Sequence, residues 1–314
     1  MRLPLLTTFV VLLACELASA DAVRATTIRI APIYLSPDTS SAKLADVDRG
    51  REIIFLDTST NNTWAHVEAN LTEERTVTGW MQNVGIVQAT TPNGDKILFG
   101  EAVDSEDQAS QRNGRRYAAQ DAMRLYGEVA ELFPQSPLAG EAMYRSADIR
   151  WQLEKADVMS LPSAKQQDPI LRRGMNEDYF KKVMKKFPNT KWAYLAAFHL
   201  IDNKLCGDWQ GQSKCPAKEA EIYQNYAKQY PDSPAAAQAL FQAAYRWAAL
   251  IEIYKTEDQQ KKSEEAKGRA LAVAQEAIAK AGQSDWGPRA QRLLFMVQQG
   301  IPAYGSGAAT SDTP

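Results

Sequence analysis

Histidine is almost missing from this chain. The 314 residues hold two, His66 and His199, along with three cysteines and a formal net charge of −2. Two distant histidines argue against a hydrolase built on a His base. The near-neutral charge leaves no electrostatic footprint for nucleic acid. Basic pairs such as Lys181-Lys182 and Lys185-Lys186 recur at helical spacing and read as a solvated helix face. There is no Gly-rich phosphate loop, no G-x-S-x-G elbow and no H-E-x-x-H. No apolar run is long enough for a permanent membrane span. A pair of carboxylates could still do chemistry, because Asp and Glu are abundant and sequence cannot place them in space. The chain therefore reads as non-enzymatic, without cofactor or metal, and a carboxylate-based cell-wall hydrolase stands as a distant alternative.

What is present begins with an export pattern over residues 1–20. Arg2 precedes an apolar run over residues 3–14, and Ala18-Ser19-Ala20 supplies small residues for cleavage. A second reading stands beside it. Leu12-Leu13-Ala14-Cys15 resembles the bacterial lipobox, which would make Cys15 a lipidated first residue and the membrane a partner. The other two cysteines, Cys206 and Cys215, enclose a Gly-rich polar loop. An even count in an exported chain predicts one disulfide between them, contributing roughly 2–3 kcal/mol by loop-closure entropy. The spacing is not C-x-x-C, which argues against a metal or redox pair.

Residues 27–88 carry five or six short runs rich in β-branched and aromatic residues. Pro32, Pro37, Gly50, Asn61-Asn62 and Gly79 punctuate them, and the spacing predicts a small barrel. Ile33-Tyr34-Leu35-Ser36-Pro37, Arg49-Gly50-Arg51-Glu52, Trp64-Ala65-His66-Val67 and Gly79-Trp80-Met81 follow one another in an order that resembles a bacterial SH3-like domain. The resemblance implies an exported module, of which some members bind peptidoglycan peptides and others pack against neighbouring domains. Tyr34, Trp64 and Trp80 are candidates for an aromatic binding platform; the competing account makes the two tryptophans core residues of a very small domain. His66 reads as a half-exposed strand residue.

Residues 89–117 read as a linker. Thr90-Thr91-Pro92-Asn93-Gly94-Asp95 is a turn signal in which Asn-Gly can adopt positive φ. Residues 96–100 could form a last strand or a docking segment. The acidic residues Asp104, Glu106 and Asp107 lack the glycine and ligand spacing of a calcium loop.

From residue 118 to 298 one pattern recurs. Phe133-Pro134-Gln135-Ser136, Phe187-Pro188-Asn189-Thr190 and Tyr230-Pro231-Asp232-Ser233 are three copies, and Ala281-Gly282-Gln283-Ser284 is a degenerate fourth. Apolar residues precede each at helix-face spacing: Tyr126 and Val129, Phe180 and Val183, Tyr223 and Tyr226, Ala274 and Ala277. The Pro should stop the first helix of each pair, and Ser136, Thr190, Ser233 and Ser284 should cap the next. Small residues follow, three apart, as at Ala139 and Ala142. The copies lie 54, 43 and 51 residues apart, too far for a regular 34-residue array, so insertions are expected, one of them around residues 159–174. The motif resembles the tetratricopeptide-like repeats of the outer-membrane assembly lipoprotein family. That resemblance implies repeat architecture and a role in binding protein partners of the cell envelope.

Trp209 lies inside the cysteine loop and is a further candidate contact residue, whereas Trp151, Trp192, Trp247 and Trp286 read as packing residues, as does His199. The combined expectation is a multidomain chain: a small all-β SH3-like barrel (27–88), a linker (89–117), an all-α helical repeat array (118–298) and a disordered tail (299–314). The function expected is an exported scaffold in the periplasm, or at the outer membrane if lipidated, with a protein partner. A peptidoglycan-binding module is the alternative.

Overall fold

A computed structural model describes residues 23–72, 74–160, 174–206 and 209–305. The export segment with Cys15, the inserted segment over 161–173 and the tail beyond residue 305 lie outside the described residues.

Among the described residues seven antiparallel strands come first: β1 Val23–Thr27, β2 Ala31–Tyr34, β3 Lys43–Val47, β4 Glu52–Thr58, β5 Trp64–Thr72, β6 Arg75–Gln82 and β7 Ile86–Gln88. They lie in the order β3-β2-β6-β5-β4-β1-β7. Burial alternates along β5 and β6, so Ala65, Val67, Ala69, Gly79 and Met81 face the core while their neighbours are half-buried or exposed. This is the period-two signature of a sheet covered on one side.

Two features depart from the expected barrel. The ladder is open, with β3 and β7 at its ends. At one end Val87 of β7 packs among helical residues such as Leu98 and Leu125 instead of against another strand. The other end, β3, escaped the strand pattern because Lys43 and Asp46 pair with each other on an exposed edge, where charge is tolerated.

Nine α-helices follow among the described residues: α1 Gly94–Ser110, α2 Ala118–Leu132, α3 Ala139–Ser160, α4 Asp178–Lys186, α5 Lys191–His199, α6 Lys214–Gln229, α7 Ala236–Thr256, α8 Gln260–Lys280 and α9 Trp286–Gln298. Consecutive helices pack in pairs (α1 on α2, α2 on α3, α4 on α5, α6 on α7, α7 on α8, α8 on α9). The segment expected to be a linker is thus largely helix. Leu98, Ala102 and Ser105 form a buried stripe on α1 at spacings of four and three. The surrounding Asp and Glu had obscured that period. Asn93 begins α1 with φ of 55°, the positive value its Asn-Gly step allows.

The recurrent turn is one backbone conformation used three times. Phe133, Phe187 and Tyr230 have φ/ψ of −126°/58°, −126°/54° and −125°/65°. A following proline excludes the helical region at the residue before it, and each aromatic N–H still bonds the carbonyl four residues back. The fourth copy lacks Pro; Ala281 stays helical and Gly282 takes φ of +55°. All eight aromatic or apolar positions anticipated on the preceding helices are buried.

The capping role is narrower than expected. Only Thr190 is an N-cap, its Oγ1 accepting from Ala193 N at 3.3 Å. Ser136 and Ser233 stand farther upstream, before an extra turn. Their hydroxyls accept from the N–H two residues on, at Leu138 and Ala235, both at 3.1 Å. Ser284 instead donates to the Ala281 carbonyl at 2.7 Å. Each serine carbonyl accepts from the N–H three residues on, at Ala139, Ala236 and Gly287, which closes one extra turn before the helix.

Sheet and helices meet at Gly50. Its φ is +68°, and a Cβ there would lie 2.7 Å from Leu125 N and 2.8 Å from Arg124 Cβ. Glycine permits both the conformation and the contact. Beside it Arg124 donates from Nε to the Arg49 carbonyl at 2.8 Å and pairs with Asp121 at 2.6 Å.

Candidate functional site

The three aromatic candidates of the sheet come together. Register places Tyr34 opposite Trp80 and Trp80 opposite His66. Trp64 lies two residues from His66 and so points to the same side of β5. Tyr34 meets Trp64 edge-on at 5.8 Å and His66 stacks on Trp80 at 4.8 Å. All four are half-buried, while the residues between them face the core. The tryptophans are therefore not core residues; they form the outward face. Gly79 makes the arrangement possible, because a Cβ there would meet the Tyr34 carbonyl at 2.5 Å and Ile33 Cγ2 at 2.7 Å. The Tyr34 hydroxyl and the indole N–H groups of Trp64 and Trp80 donate no hydrogen bond to another described residue. The face thus offers flat apolar area with free polar tips, the combination that aromatic residues supply at interfaces. His66 is the member that sequence reasoning undervalued; its cross-strand partner was not readable without the register.

The same side of β5 continues from His66 to Glu68 and Asn70, which line a second feature, a cleft of about 560 Å³ between the sheet and helices α2, α3 and α4. Its floor carries Glu128 of α2. Burial, reinforced by nearby Glu52 and Glu131 and opposed by Arg24, pushes this carboxyl up to about 8. Glu131, one turn on, behaves oppositely: Lys182 and Lys186 hold it below the usual carboxylate range. Sequence could not reveal this cleft, because it joins residues more than a hundred positions apart.

Trp209 is brought to neither feature. Cys206 and Cys215 form the expected disulfide, with Cα atoms 6.0 Å apart. Trp209 folds inward, donating from Nε1 to Glu219 Oε2 at 3.2 Å, with its ring against Tyr245 and Tyr304. Glu219 also accepts from the Cys206 N–H at 2.8 Å. The half-buried indole pins the stapled loop to α6.

Among the packing tryptophans, Trp192 lies on Tyr144 with centroids 5.5 Å apart and Trp286 on Phe241 at 5.4 Å. His199 stacks on Phe180 at 4.8 Å and its Nε2 meets Tyr144 Oη at 3.1 Å and Asp148 Oδ1 at 3.4 Å. Burial depresses the imidazole and raises the Asp148 carboxyl. Among the described residues no group of three or more His, Cys, Asp or Glu is placed to hold a metal ion, and no helix is long and apolar enough to cross a membrane.

No protein-family model matches the chain, and no curated protein matches it. Among solved structures the chain is similar to "DHF58 filament", with 17% identity over 65% of this chain and 91% of that one at a TM-score of 0.23. It is likewise similar to "DHF79 filament", with 13% identity over 63% and 95% at a TM-score of 0.19. Scores this low carry no argument about fold or function, so the functional reading rests on the chain's own residues.

Proposed function

We propose that this chain is a non-enzymatic, exported binding scaffold of the cell envelope. In this reading the sheet is an SH3-like module that takes an extended peptide segment of a protein partner on its aromatic face. The helices form a tetratricopeptide-like array that braces it. One observation carries the proposal: Tyr34, Trp64, His66 and Trp80 converge on the outer side of the sheet with their polar tips unengaged. An aromatic face of this kind can grip an extended peptide through flat contact area, at low entropic cost for the rings.

The test is selection of linear peptides on the full chain, followed by binding measurements on Trp80→Ala and Trp64→Ala. The selected peptides should lose about tenfold or more in affinity, in line with removal of an aromatic anchor. Peptides that bind both variants as tightly as the wild type would overturn the reading. The same face suits a peptidoglycan peptide. Sedimentation with purified peptidoglycan separates the two, since only that alternative expects Trp80-dependent co-sedimentation.

A further inference from the structure

In the cleft between sheet and helices most charges are already matched. Arg24 pairs with Glu52. Arg51 reaches the Asn70 carbonyl at 2.8 Å, and Arg124 is held by Asp121. Glu131 takes Lys182 at 2.8 Å and Lys186 at 3.4 Å.

Glu128 and Arg150 differ. Both line the cleft, Glu128 from α2 and Arg150 from α3. Glu128 Oε2 and Arg150 Nε are each buried without a hydrogen-bond partner. The Arg150 guanidinium carbon lies 4.0 Å from the centroid of the Tyr179 ring, a cation–π contact that provides no hydrogen-bond acceptor for its N–H groups. Native proteins leave few buried polar atoms unsatisfied, and each such atom calls for an explanation. Here an acid and a base, each with an unmet bond, share one cavity.

We propose that this cleft binds a small zwitterion, an α-amino acid or a short peptide with free ends, its ammonium on Glu128 and its carboxylate on Arg150.

A simple anion would satisfy Arg150 but leave Glu128 Oε2 unmet, in a cleft also lined by the carboxylates Glu52, Glu68 and Glu131. A simple cation would satisfy Glu128 and leave Arg150 Nε unpaired. A ligand carrying both charges answers both groups. The volume of about 560 Å³ lies within the range of small-molecule sites, and junctions between structural units are common places for them. The raised Glu128 carboxyl agrees with this: the cleft holds an uncharged acid that an incoming ammonium would ionise. The inference does not depend on the aromatic face, which uses other residues.

Calorimetric titration of the full chain with L-alanine, Ala-Ala and Ala-Ala-Ala near pH 8 tests it. At least one probe should bind saturably. N-acetylation and C-amidation of that probe should each weaken binding about tenfold or more, the scale of one charge-assisted hydrogen bond. Saturation by alanine itself identifies a free amino acid; saturation that begins with the longer probes identifies a peptide. Glu128→Gln should erase the penalty of N-acetylation while keeping that of amidation, and Arg150→Gln the converse. No saturable binding at millimolar probe overturns the inference, as does equal binding of free and blocked probes. Both of these outcomes are measured on the wild-type chain alone, whether or not the variants fold.

Discussion

Arg246 on α7 meets Glu219 on α6 with Nε 2.8 Å from Oε2, and the two side chains are 9% and 1% exposed. The pair is saturated. Glu219 also accepts from the Cys206 N–H and the Trp209 indole. Arg246 also bonds the Gln242 side chain at 2.7 Å and lies over the Tyr223 ring at 4.5 Å. Breaking a buried pair strands its partner charge, which costs about 3–5 kcal/mol. Glu219→Ala should therefore lose about that much in urea unfolding and shift Trp209 fluorescence. The double variant Glu219→Leu with Arg246→Met should recover only the part due to the stranded guanidinium, since the Cys206 N–H and the Trp209 indole stay without their acceptor.

Removing the disulfide should act mainly on the unfolded chain. Replacing Cys206 and Cys215 together by Ser should cost about 2–3 kcal/mol, set by a loop whose ends are nine residues apart in sequence. Trp209 fluorescence should stay near wild type in the folded protein, because Glu219 holds the indole independently of the sulfurs. A loss of that signal at full folding would show that the sulfurs, not the carboxylate, position the loop.

Gly50→Ala tests how the sheet sits on α2. The substitution strains a φ of +68° and drives a methyl to within 2.7 Å of Leu125 N. Together these should cost about 2–4 kcal/mol, read as a lowered Tm. A neutral result would mean that the contact between the turn and α2 is loose.

Glu128 makes stability depend on pH. Its folded value is raised to about 8 from an ordinary 4.5, so the folded state holds a proton that the unfolded state has released. Stability is fully present below 4.5 and declines as pH rises toward 8. Glu128→Gln keeps the shape and removes the titration. Its thermal stability relative to wild type should climb through this window, gaining on the order of a few kcal/mol above pH 8. Parallel curves for the two proteins across pH 5 to 9 would contradict the burial of this carboxyl.

Much of the helical part was legible because its signals are local. Proline after Phe133, Phe187 or Tyr230 restricts the preceding backbone, and all three adopt the same conformation. The positions four and seven before each fall on one helix face and are buried. Helix starts were less legible: Ser136 and Ser233 have the chemistry of caps, but an extra turn stands between each of them and its helix. The α1 stripe of Leu98, Ala102 and Ser105 was present in the sequence and masked by the acidic residues around it.

The aromatic face was half legible. Tyr34, Trp64 and Trp80 stood out as residue types, but whether they faced inward or outward depends on strand register, where a shift of one residue reverses every side chain. The cleft was not legible at all. Glu128 and Arg150 are ordinary helix residues until α2, α3 and the sheet enclose them.

By itself the sequence determined where helices stop, which helix faces are apolar, that strands precede helices and that Cys206 and Cys215 can close a loop. These are consequences of backbone restriction and side-chain periodicity within a few residues. Only the tertiary structure decided that the ladder stays open, that Trp209 turns inward, that Trp64 and Trp80 turn outward and that Glu128 loses water. Each of those depends on which distant surface arrives against the residue, and burial and cross-strand register are set by that arrival.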